Sequence, residues 1–201
     1  MKNRNNCLFG LLIVALMVVA PLASRAQTSG VSGAEPKQKE YKTTLKWNAL
    51  YWAVGVINMS VETKIDKHFT FNGDLVFSPW AEIAGRPYLG GQAIAEFRYY
   101  PKVAFRGFYV GVYGAFDQYR VSKWDHPATD VQEGIGMSYG LTLGYQLPIG
   151  KRWSIDFYLA GGWHLGWYIG YDTLNGGRYA DWNKSGEWIP YKAGVAFSFK
   201  L

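Results

Sequence analysis

Trp153-Ser154-Ile155-Asp156-Phe157-Tyr158-Leu159-Ala160-Gly161-Gly162-Trp163-His164-Leu165-Gly166-Trp167-Tyr168-Ile169-Gly170 reads as one long β-strand. Its odd positions carry Trp153, Ile155, Phe157, Leu159, Trp163, Leu165, Trp167 and Ile169. Its even positions carry Ser154, Asp156, Tyr158, Ala160, Gly162, His164, Gly166 and Tyr168. A period of two over so long a run places one greasy face opposite one small or polar face.

Working outward, the same split recurs. Ile135, Met137, Leu141 and Leu143 oppose Gly136, Ser138, Thr142 and Gly144. Phe108, Val110, Val112 and Phe116 oppose Tyr109, Gly111, Tyr113 and Asp117, and Ala93, Ala95, Phe97 and Tyr99 oppose Gln92, Ile94, Glu96 and Arg98. Phe69, Phe71, Leu75 and Phe77 oppose Thr70, Asn72, Asp74 and Ser78. Ile57, Met59, Val61 and Ile65 oppose Asn58, Ser60, Glu62 and Lys64. A weaker first strand sets Leu45, Trp47, Ala49 and Tyr51 against Thr44, Lys46 and Asn48. The last sets Tyr191, Val195, Phe197, Phe199 and Leu201 against Lys192, Gly194, Ser198 and Lys200. Eight strands result, an even number.

Connections are expected to alternate in length. Short ones fall around Asp66-Lys67, Pro101 to Arg106 and Pro148 to Arg152. Longer ones run from Trp80 to Tyr88, Ser122 to Glu133 and Asp172 to Glu187. The first, near Val54 to Val56, is expected to be tight. Short turns at one end and long loops at the other are the habit of outer-membrane barrels.

The start of the chain sets the expected compartment. Lys2 and Arg4 precede an apolar run from Leu8 to Ala20, and Ser24-Arg25-Ala26 offers small residues for cleavage. Such a run, about 13 residues, is shorter than a membrane-spanning helix needs but suits a secretory signal peptide. The expected division is a signal peptide at 1–26, a disordered polar leader at 27–41 and a barrel at 42–201. Cys7 is the single cysteine and precedes the apolar run, so no disulfide or thiol nucleophile is expected in the exported chain. Cleavage takes three of the 21 basic residues and leaves 18 against 15 acidic ones. That balance argues against a nucleic-acid partner.

Alternation alone does not say which face points outward. Charged residues make up 18% of the chain and aromatic ones 17%, against about a quarter charged in soluble domains. The polar faces hold Gly, Ala, Ser and Tyr with few charges, as a tight barrel interior requires. Trp47, Phe69, Tyr99, Phe108, Tyr145, Trp153 and Phe199 gather at one set of strand ends, and Tyr51, Trp80, Phe116, Trp167 and Tyr191 at the other. Two aromatic girdles suit the headgroup levels of a bilayer. Lys192, Gly194, Phe197 and Phe199 match the spacing of the terminal strand read by the barrel-assembly machinery. In hydrocarbon every backbone group must be paired inside the protein, so the sheet must close. The fold class expected is an all-β, eight-stranded antiparallel up-and-down transmembrane barrel, in the outer membrane of a Gram-negative cell.

The candidate residues follow from the inward faces. Lys46, Glu62, Lys64, Asp74, Glu96, Arg98, Asp117, Asp156, His164 and Lys192 carry both signs and are expected to form a polar lumen network without a pore. Arg98 is expected to meet at least one of Glu62, Asp74, Glu96 and Asp117. His164 is expected to hydrogen-bond within the lumen near Asp156 and Tyr158. Ser122, Asp125 and His126 lie too close in one loop to make an oriented triad. Neither catalytic, metal nor cofactor residues are assigned. Trp124, Tyr179 and Trp182 in the longer loops are aromatic candidates for contact with a protein partner.

Lys46-Trp47-Asn48-Ala49-Leu50-Tyr51, Asn58, Glu62, Ser78-Pro79-Trp80, Arg98-Tyr99-Tyr100 and the Gly-rich strand from Phe108 resemble the Bacteroidota barrels catalogued as domain of unknown function 3575. The resemblance spans about Lys42 to Leu201 and implies an outer-membrane barrel, with no catalytic residues to transfer. The function expected is a non-enzymatic structural or interaction role, with outer-membrane lipid as surroundings and external loops as contact points. The competing readings are a lipid-modifying barrel enzyme using His126 or His164, and a periplasmic lipocalin-like ligand-binding barrel.

Overall fold

Alternating β-branched, aromatic and glycine residues cannot bury a face as a helix, but they fit a pleated surface with one face turned in. The computed structural model describes residues 41–123 and 126–201. The expected signal peptide, residues 27–40 of the leader, Trp124 and Asp125 lie outside the described residues.

The elements are β1 (Thr43–Asn48), α1 (Ala49–Ala53), β2 (Ile57–Lys64), β3 (Phe69–Ile83), β4 (Arg86–Tyr99), β5 (Gly107–Val121), β6 (Asp130–Pro148), β7 (Trp153–Asp172) and β8 (Arg178–Lys200). Each strand pairs antiparallel with its neighbours in sequence, and β1 pairs with β8, closing the barrel. The end where β1 starts and β8 finishes is called the lower end here.

Burial is inverted relative to a water-soluble domain. Among the described residues, Thr44, Glu62, Thr70, Glu96, Gln146 and Asp156 are fully buried, while Phe97, Val112, Tyr139, Leu141 and Leu159 are all more than half exposed. The inward faces are polar and the outward faces apolar. A girdle of rings circles the lower end: Trp47 meets Trp153 at 5.7 Å, Trp153 meets Phe199 at 4.9 Å, and Phe69 meets Tyr99 at 5.2 Å.

Three expectations are corrected. The first strand stops at Asn48. Its side chain accepts a hydrogen bond from the Leu50 N–H at 3.0 Å, capping α1, and the Trp52 indole donates to the Asn58 carbonyl at 3.0 Å. Ala49 and Tyr51 are therefore helical, and the connection to β2 is a helical turn instead of a tight hairpin.

The second correction concerns the upper connections. β3 and β4 are joined by Ala84-Gly85, both at positive φ, which is the two-residue turn that matches strand twist. β7 and β8 continue to Asp172 and Arg178, so most of the expected loop from Asp172 to Glu187 is a two-stranded ribbon. Backbone pairing propagates above the rim although the apolar alternation has faded there.

The third concerns Tyr191 and the upper girdle. Pairing of β7 with β8 slips between Ala160 and Gly162, so Lys192 faces Ala160 and Ile189 faces Gly162. Pro190, with no N–H to give to the ladder, sits in the extra length. The bulge turns Tyr191 inward, where it stacks on Tyr113 at 4.9 Å and 19°. Trp80 shares the face of buried Ser78, and its indole donates to the Val54 carbonyl at 2.8 Å. Of the five rings expected in the upper girdle, Phe116 and Trp167 remain on the outward face, joined by the facing pair Trp163 and Trp188.

Candidate functional site

The lumen is layered. β1, β4, β5, β6 and β7 bring Lys46, Arg98, Tyr109, Gln146 and Asp156 to one level in the lower half. Arg98 bridges three carboxylates: Glu96 at 2.8 Å, Asp156 at 3.0 Å and Glu62 at 3.2 Å. Lys46 pairs with Glu62 and lies 2.7 Å from Asp156. Lys192 joins Glu96 at 3.0 Å and Asp74 at 3.7 Å, and Asn58 donates to Asp74.

Neutral donors complete the network. Tyr100 donates to Glu62 at 2.9 Å, Tyr109 donates to Asp156 at 2.9 Å, and Thr70 donates to Glu62. The Arg98 guanidinium stands over the Tyr109 ring, 4.6 Å from its centre. That ring occupies the space a side chain at Gly144 would need. These groups fill the lower lumen. Buried charges persist only when paired and hydrogen-bonded on several sides, which this lattice supplies.

Of the ten lumen candidates, Lys46, Glu62, Asp74, Glu96, Arg98, Asp156 and Lys192 meet in this one network. Lys64 lies half-buried at the lower end of β2, where its N–H donates to the Lys42 carbonyl at 2.7 Å. Asp117 and His164 form a separate pair higher up, with Nε2 3.2 Å from Oδ2. His164 thus meets Asp117 of β5 instead of the expected Asp156, which lies eight residues down its own strand. Gly136 makes room for the pair, since a side chain there would meet both groups.

Between these two sites lies a plug of Ile94, Tyr113, Ala115 and Ala160, with Val76 and Tyr191 packed against it. Above the plug the lumen is open. A cavity of about 420 Å³ is bounded by α1, β3, β4, β5, β7 and β8, with Asp117 and His164 on its wall. The expected polar packed lumen is corrected in its upper half: the lower half is filled and the upper half is hollow. The inward positions of Gln92, Tyr113 and Asp117 were legible from alternation. Tyr51, Tyr88 and Tyr191 as lining residues were not, since a helix, a rim position and a bulge place them.

The loop candidates are dispersed. Ser122 donates from its hydroxyl to the Pro127 carbonyl at 3.2 Å and accepts from Arg86 at 3.0 Å. The His126 ring stands 4.0 Å from Asp130. Tyr179 and Trp182 are exposed on the upper ribbon, and Trp182 takes a positive φ of 43° within a second bulge. Trp124 lies outside the described residues.

No curated protein and no solved structure matches the chain. A family model described as "Protein of unknown function (DUF3575)" matches residues 12–201, and on that match the chain belongs to this family.

Proposed function

We propose that the chain is a small, non-enzymatic barrel of the outer membrane of a Gram-negative cell, standing in lipid with its upper end outside. The observation that carries this reading is the inverted burial. Lys46, Glu62, Glu96, Arg98 and Asp156 are buried, while Leu141, Leu159, Phe97 and Val112 form part of a continuous exposed apolar belt. In water such a belt would far exceed the few hundred Å² that a monomer leaves uncovered. In a bilayer it is the surface the solvent demands, and pairing of β1 with β8 joins the two end strands of the sheet.

The filled lower lumen and the upper ribbon divide the roles. The barrel is the anchor, and the upper end is the part that meets other molecules. Tyr179 and Trp182, exposed on the ribbon beside Arg178 and Asp181, suit contact with a protein partner. Membrane fractionation combined with heat-modifiable migration tests the placement. Recovery in the outer-membrane fraction, with a folded band that shifts on boiling, is expected. A chain found in the soluble fraction would overturn it.

A further inference from the structure

The upper cavity has a chemistry that the structural role leaves unused. Its rim is open, where Val54 and Tyr88 are each 54% exposed. Its volume of about 420 Å³ falls in the range of small-molecule sites. Four tyrosines line it: Tyr51 from α1, Tyr88 from β4, Tyr119 from β5 and Tyr191 from β8. Among the described residues, Asp117 is the carboxylate of the lining, and no Lys or Arg joins it there.

One feature gives this wall a sign. His164 engages Oδ2 of Asp117, while Oδ1 has no hydrogen-bond partner among the described residues, although Asp117 is only 8% exposed. A buried carboxylate oxygen without a donor is costly to maintain.

We infer that the upper cavity binds a small organic cation, an ammonium group carried on a compact apolar body. Asp117 supplies the counter-charge and the tyrosine rings supply π faces, the combination that recognises ammonium ions. Val56, Val76 and Ile189 cover the apolar body. The inference rests on the proposed membrane reading only for the side from which the ligand enters. An uncharged polyol could use the hydroxyls and Gln92, but it would gain nothing from the charge.

The test uses the full barrel in detergent micelles, with choline and its uncharged isostere 3,3-dimethylbutan-1-ol as probes in titration calorimetry. Saturable choline binding is expected, with the isostere about tenfold weaker. Asp117→Asn and Tyr119→Ala should each weaken choline by a similar factor while retaining the heat-shifted band of a folded barrel. Equal binding of the two probes by the unaltered protein overturns the inference without reliance on any variant. So does a folded barrel that takes up no choline. A chain that binds choline with this selectivity yet fractionates as soluble would overturn the membrane reading and leave the site standing.

Discussion

Arg98 is the residue on which the lower lumen turns, because it is shared by Glu62, Glu96 and Asp156. Arg98→Met would leave three buried carboxylates with Lys46 and Lys192 alone. Urea unfolding in micelles should show a loss of about 3–5 kcal/mol, the usual cost of stranding a buried charge. A loss below about 1 kcal/mol would mean that water already screens the network. Glycines give a second residue-level test. Gly136→Val would press on His164 and Asp117, whereas a side chain at Gly73 meets nothing within 4 Å. The first should cost about 1–3 kcal/mol through overpacking, and the second should cost nothing measurable in the same unfolding assay. The inward set of charges was readable from parity, because a period of two fixes the face of each residue once one is known. Of their partners, Glu62 and Glu96 were expected for Arg98 and are found, but the pairings across the ring were not readable. Lys46 and Asp156 are 110 positions apart, as are Asn48 and Tyr158, and only closure of the ring brings them together.

All eight strands were legible, and the errors lie where patterning loses its physical cause. Apolar alternation persists only where one face lines the lumen and the other joins the outward apolar belt. Above the rim both faces of the β7–β8 ribbon are open, as at exposed Tyr179 and Trp182. Backbone hydrogen bonds still carry the ribbon upward there, but nothing selects side chains by face. The bulge at Pro190 escaped notice for a related reason: one extra residue reverses parity without altering composition. The ribbon also makes an element-scale prediction. Cutting it above the Tyr168–Asn183 pair and closing it with a tight turn should leave a folded, heat-shifting barrel. Any phenotype that depends on a partner at the ribbon should be lost. Full complementation of a deletion strain by the cut barrel would move the function to the lumen or to the leader.

Taken as a whole, the molecule is a ring with a filled base, a plugged middle and an open top. Planar-bilayer recordings should therefore show no stable single-channel conductance, since Lys46, Glu62, Glu96 and Asp156 close the lower lumen. Its outward belt predicts a cost of the opposite kind. Leu159, 60% exposed and paired with Leu143 and Ala193, lies close to midway between the girdle residues Trp153 and Trp167. Leu159→Arg should reduce stability by about 2–4 kcal/mol if that level is the bilayer midplane, measured by reversible refolding into lipid vesicles. An unchanged midpoint would argue that water touches this face. The ring is also uneven. β1 is registered against β8 only from Thr44 to Asn48, whereas β7 is registered against β8 from Trp153 to Tyr171. The β1–β8 contact is thus a seam with few amides to hold it, and the long hairpins of β5 to β8 can form without it. In hydrogen exchange, the amides of Leu45 to Asn48 should lose protection before those of Tyr139 to Leu143, with the ring unzipping from that one join.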